Sequence, residues 1–162
     1  MRKKLPLTSI AFFFYYLAFT QMDIPPSGGN PRAKMTEELG ITDITIQYSR
    51  PDVAGREGKI WGGLVSYGFS GTNFITNKNN SPWRAGANEN TIISFEHDIK
   101  LEGKNVKAGA YGLHFAVWPD SALLILSNQS NAWGSFYYEE RDDALRVTVK
   151  PVPQEISTEW LK

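Results

Sequence analysis

Between Ile44 and Val149 the apolar residues recur at period two in short runs, and no helical period lasts beyond about two turns. The clearest run sets Tyr111, Leu113, Phe115 and Val117 against Gly112, His114, Ala116 and Trp118. Successive side chains of a strand point to opposite faces, so this run predicts a strand with one apolar face. Ile44, Ile46 and Tyr48 alternate with Thr45 and Gln47 and stop at Pro51. Leu145, Val147 and Val149 alternate with Arg146, Thr148 and Lys150 and stop at Pro151. Ile92, Ile93 and Phe95 mark a further strand, and the continuous apolar run Leu123 to Leu126 predicts a central one. Ile99 and Leu101, the turn Glu102-Gly103-Lys104-Asn105, and Val106 predict a hairpin. Many short strands at roughly ten-residue spacing imply an all-β fold, an antiparallel β-sandwich or jelly roll.

Three stretches are less determinate. Lys34 to Leu39 fits a short helix or a first strand. Ile60 to Val65 is apolar but broken by Gly62 and Gly63, which predicts a short strand or a bend. Tyr67 to Ser81 is rich in Gly, Asn, Ser and Thr and reads as a long loop, a kind that is usually functional or disordered.

Export is expected. Met1-Arg2-Lys3-Lys4 is basic, Leu5 to Thr20 is apolar, and Ala18 and Thr20 place small residues before a cut at Gln21. That order of parts is a secretory signal peptide. The run falls short of the roughly 20 residues that span a bilayer, so no stable membrane span is expected after cleavage. The expected division is a signal peptide over 1–20, a Pro/Gly-rich leader over 21–39 and one β domain over 40–162, placed in the periplasm or outside the cell. Without residues 1–20 the chain carries 14 Lys plus Arg against 17 Asp plus Glu, a net charge of −3. A nucleic-acid partner would need a basic face, so none is expected. The chain has no cysteine, which excludes a disulfide framework, a thiol nucleophile and a thiolate metal site.

The segment Pro82-Trp83-Arg84-Ala85-Gly86-Ala87-Asn88-Glu89-Asn90-Thr91 concentrates polar chemistry in a turn-forming stretch. Loops carry most binding groups because strands spend their side chains on packing. Gly86 permits a positive φ, and Asn88 tolerates the left-handed region. Arg84 offers a planar donor fork suited to a carboxylate or phosphate. Two outcomes are open: Arg84 and Glu89 pair with each other and pin the loop, or they floor a pocket for a small anionic or hydroxylated ligand. Arg50, Asp52 and Arg56 form a second charged loop that would matter if it met Arg84.

His97 and His114 are the only histidines. Counting back from the hairpin turn sets His97 near Ala110, so the two do not face each other and no metal site is expected. His114 lies opposite Leu113 and Phe115, beside Gly112, and reads either as a satisfied core histidine or as a ligand neighbour. Ser49, Ser66, Ser81 and Ser135 lie outside any G-x-S-x-G elbow. Glu89 with Asp52 or Glu96 is the one carboxylate set a hydrolase could use. No phosphate, dinucleotide or calcium loop is present, and no cofactor is expected. Among the aromatics, Trp61 and Trp133 beside glycines are expected in the core, and Trp83 and Tyr67 at the surface.

Six motifs in order carry a family resemblance: Tyr48-Ser49-Arg50-Pro51; Gly58 to Gly68; Trp83 to Thr91; Ala108 to His114; Trp133-Gly134-Ser135-Phe136; and Asp143 to Val147. From about Gly40 onward the chain resembles a family of secreted bacterial proteins, domain of unknown function 2911, found mainly in the Bacteroidetes. The resemblance implies an exported all-β domain and two further strands past Trp160-Leu161-Lys162, so the fold is read as lacking its C-terminal strands. It assigns no catalytic residues.

The expected function is therefore a non-catalytic exported domain that binds a small ligand, glycan or envelope protein at Trp83–Thr91. Trp83 would stack, Arg84 and Glu89 would recognise polar groups, Asn88 would shape the loop, and His114 and Arg50 would lie at the margin. The alternative is a hydrolase with Glu89 as general acid or base and Arg84 stabilising charge.

Overall fold

The computed structural model describes residues 29–153, 158 and 161. The expected signal peptide and the start of a strand at Glu159-Trp160 lie outside the described residues. Six strands form one antiparallel sheet: β1 (Arg32–Leu39), β2 (Thr42–Ser49), β5 (Ala87–Phe95), β8 (Gly109–Val117), β9 (Ala122–Ser127) and β10 (Asp143–Val149), in the order β1-β2-β5-β8-β9-β10. Two hairpins complete it, β3 (Gly71–Asn73) with β4 (Lys78–Ser81), and β6 (Ile99–Leu101) with β7 (Lys104–Val106). The expected all-β, antiparallel, sandwich-like class is what the chain adopts. No described helix is long and apolar enough to cross a membrane.

One face of the sheet carries the apolar half of each alternating run. Phe95, Tyr111, Leu113, Leu126, Leu145 and Val147 are buried there together, with Ile44, Ile93, Phe115 and Leu124 packed against them. The β6–β7 hairpin covers this face with Ile99, Leu101 and Val106. Its reversal at Glu102 and Gly103 takes φ values of 48° and 77°, the double positive φ that matches strand twist. Burying each large apolar side chain contributes about 1.5–3 kcal/mol.

The opposite face is covered over β8 and β9, where His114, Ala116, Ile125 and Ser127 are buried. Residues 128–138 lie over it and hold the β3–β4 hairpin through Phe74 N to Phe136 O (2.8 Å) and Asn73 Nδ2 to Tyr138 O (2.7 Å). Double coverage explains the unbroken apolar run of β9. The strand is second from an edge rather than central, because the run reports two covered faces and not position in the sheet.

Other expectations are corrected. Arg32 to Leu39, read as leader with an undecided end, is the edge strand β1. The Tyr67–Ser81 loop contains the β3–β4 hairpin, whose exposed polar residues give no alternation to read. Asn73 Oδ1 accepts from the amides of Ile75 and Thr76 at its turn. Trp61 and Trp133 are 53% and 55% exposed, because their neighbouring glycines serve turns and not close packing around the indole. Trp83 packs against the core and meets Trp61 edge-on at 5.3 Å, whereas Tyr67 is exposed as expected.

Candidate functional site

The Pro82–Thr91 segment is one strand interrupted by a projecting loop. Trp83 exchanges both backbone hydrogen bonds with Phe115 at 2.8 Å, and Thr91 pairs with Leu113. Two steps along β8 thus span eight along this segment, so residues 84–90 must leave the sheet line. Thr91 Oγ1 donates to Ala85 O at 3.0 Å across the base of that excursion. The left-handed positions are Ala85 (φ 55°) and Asn88 (φ 58°), while Gly86 takes an ordinary φ. Gly86 is needed for a different reason: a Cβ there would lie 2.9 Å from both Ser49 O and Thr91 Oγ1. From Ala87 onward the segment belongs to β5.

Arg84 and Glu89 part company. Arg84 turns inward, with Nη1 donating to Asn88 O at 2.7 Å and its guanidinium 4.5 Å from the centroid of Phe136. Gly134 leaves the space, since a Cβ there would lie 2.6 Å from Arg84 Nη1. Burial lowers the Arg84 pKa from its usual value. Beside it His114 is 2% exposed, and its Nδ1 lies 2.9 Å from Ser135 Oγ. Burial first, and the Arg84 charge second, hold the His114 pKa at about 4, so the imidazole is neutral at pH 7. Tyr138 meets it edge-on at 5.6 Å. A serine against a neutral histidine has the composition of a nucleophile and base, but Ser135 is 5% exposed and the pair is closed to solvent. What it does chemically is satisfy two buried polar groups.

Glu89 turns the other way. Its carboxylate reaches Arg32 Nη2 at 3.3 Å and Ser49 Oγ at 3.5 Å. An open groove of about 220 Å³ begins here, lined by Arg32, Lys34, Gln47, Tyr48, Glu89 and Asn90, with Ala33, Ser49 and Ile92. Asn90 is 5% exposed. Its Nδ2 donates to Gln129 O at 2.8 Å, directed over Gly112 of β8. The amide oxygen is buried with no hydrogen-bond partner among the described residues, and Asn90 is one of the residues that line the groove. Such an orphan acceptor costs about 1–3 kcal/mol.

The remaining expected residues lie elsewhere. Arg50 Nε donates to Leu161 O at 2.8 Å, and Arg56 pairs with Asp52 at 3.4 Å. His97 is exposed beside Glu96 and Thr42 and well removed from His114, although the register pairs Ala110 with Ser94 and not with His97 as the hairpin count has it. Among the described residues no group of His, Cys, Asp and Glu could hold a metal ion. Sequence reasoning did not pick out Arg32, Lys34 or Asn90. The period-two run Arg32, Lys34, Thr36, Glu38 is the signal that would have placed the first two on a strand beside Glu89.

Residues 30–162 match the model of a family described as Protein of unknown function (DUF2911). The chain belongs to that family. The match starts ten residues before Gly40, just ahead of β1, so the family pattern takes in the strand that supplies Arg32 and Lys34 to the groove. Searches of the curated proteins and of the solved structures give no match.

Proposed function

We propose that this DUF2911 chain is an exported, non-catalytic binding domain whose groove between β1, β2 and β5 takes a small hydroxylated ligand, a sugar or the end of a glycan. The orphan oxygen of Asn90 carries the reading. It lacks a donor, the Glu89 carboxylate can accept beyond its contacts with Arg32 and Ser49, and a sulfate or carboxylate offers no donor. Arg32 and Lys34 supply donors on the β1 side of the same groove. A hydroxyl both donates and accepts, so a polyol engages both sets where a simple anion engages one. The volume suits one sugar ring, being below the range of drug-sized pockets.

The separation of Arg84 from Glu89 supports a binding role over the hydrolase alternative, which needs both at one reacting centre. Export rests on the tripartite pattern of residues 1–20.

Titration of labelled protein with a panel of mono- and oligosaccharides, and with sulfate and phosphate, tests the reading by NMR. Saturable shifts of the Asn90 side-chain amide with a saccharide, lost in Glu89→Gln, are expected. Shifts produced by the anions alone would sink it.

A further inference from the structure

We propose that β1 pairs edge to edge with β1 of a second copy of this chain, joining two sheets about a two-fold axis. The two edges of the sheet are built differently. At one edge β10 is interrupted by a bulge between Asp143 and Leu145, and Lys104 Nζ occupies the Arg146 carbonyl at 2.7 Å. These are devices that keep an edge from pairing. At the other, β1 runs eight residues in unbroken register with β2, without proline or bulge, and is exposed almost throughout. Among the described residues no strand lies on its outer side.

Its charges are sorted by sign. Arg32 and Lys34 occupy the first half, Glu37 and Glu38 the second. A strand so arranged repels a parallel copy and attracts an antiparallel one. In an antiparallel pair, residues directly opposite share a face, so a two-fold axis through Thr36 sets Lys34 opposite Glu38 of the second copy, twice. On the other face Ala33 meets Leu39, which is 60% exposed in the single chain. Shifting the axis to Lys34 or Glu38 places like charges together, and shifting it to Met35 draws Arg32 away from Glu89. The register through Thr36 keeps the Arg32–Glu89 ion pair but engages Lys34, which also lines the groove. Thr36→Cys, outside that lining, is therefore the variant that tests self-association apart from ligand binding.

Sedimentation of the full chain across a concentration series tests the pairing. A monomer–dimer equilibrium is expected. Lys34→Glu creates two like-charge pairs per dimer and should raise Kd at least about tenfold. Lys34→Glu combined with Glu38→Lys should return it to within about threefold of the parent. Because the chain has no cysteine, Thr36→Cys supplies a single thiol on the axis, and oxidation should link two copies. A chain that stays monomeric at millimolar concentration, a dimer indifferent to Lys34→Glu, or a double variant that fails to recover would each overturn the proposal.

Discussion

The closed and open halves of one sheet face meet at the Asn90 side chain and treat polar groups in opposite ways. Over β8 and β9, residues 128–138 bury His114 and Ser135 and half-bury Arg84 beneath Gly134, Phe136 and Tyr138. Each polar group there has an internal answer: a carbonyl for Arg84, a hydroxyl for His114, an aromatic face for the guanidinium. Over β1 and β2 nothing among the described residues covers the face, and Asn90 Oδ1 is left without a partner at the boundary. The lesson is energetic. A sealed polar cluster must satisfy itself because the desolvation cost is incurred on folding. An open one can leave an acceptor for a ligand. Substitutions in the closed half should therefore change stability, and those in the open half should change binding.

The largest contrast is expected at Gly112. A Cβ there would lie 2.8 Å from Gln129 O, 3.0 Å from Asn90 Nδ2 and 3.1 Å from His114 Nε2. Gly112→Ala should push residues 128–138 off the sheet and break the Asn90–Gln129 hydrogen bond, costing about 4 kcal/mol from overpacking and the lost bond together. Lys34→Ala, across the boundary, should change stability by less than about 0.5 kcal/mol. Urea denaturation of both variants measures the pair of values. Equal values would erase the distinction between the halves.

Next comes the titration of His114. Its pKa is held at about 4 in the folded protein against a usual 6.5, so as pH falls the unfolded chain takes up the proton first. The contribution is complete above pH 6.5 and is lost as pH falls toward 4. At 1.36 kcal/mol per pKa unit it amounts to about 3 kcal/mol. Stability measured from pH 7 to pH 4 should drop by that much more in the parent than in His114→Gln, which keeps a polar partner for Ser135 without titrating in this range. Parallel curves for the two proteins would mean that the imidazole is not sealed.

Much of this architecture was legible in the residues. Tyr111 to Val117 and Ile44 to Tyr48 wear one polar and one apolar face, and such strands announce themselves by alternation. Lys78 to Ser81 is mostly exposed on both faces, so selection for burial left no period to detect in hydrophobicity. In Arg32 to Leu39 the period is weak because Glu37 interrupts the apolar side. The site was legible as a location and illegible as a geometry. Arg84 and Glu89 looked like partners because they are close in the chain and opposite in charge. Adjacency in sequence says nothing about which side of a strand line a side chain takes, and two left-handed residues between the ends of the loop send them apart. Asn90 carried no charge to draw notice. Its importance arises from a hydrogen bond of its Nδ2 to Gln129, thirty-nine residues away in the chain, and from the amide oxygen left buried without a partner among the described residues.

The smallest expected effect is also the most discriminating. Glu89 makes only a half-exposed ion pair with Arg32 and a long contact with Ser49. Exposed pairs of this kind contribute about 0–1 kcal/mol, so Glu89→Gln should leave the urea midpoint almost unmoved. Saccharide affinity should nonetheless fall about tenfold, because a hydrogen bond to a charged acceptor is worth about 1.5–3 kcal/mol against roughly half that for a neutral one. Stability and binding move together when a residue acts through the fold, and separately when it touches the ligand. A Glu89→Gln protein that loses stability in step with affinity would place Glu89 in the framework, and with it the open half would join the closed one.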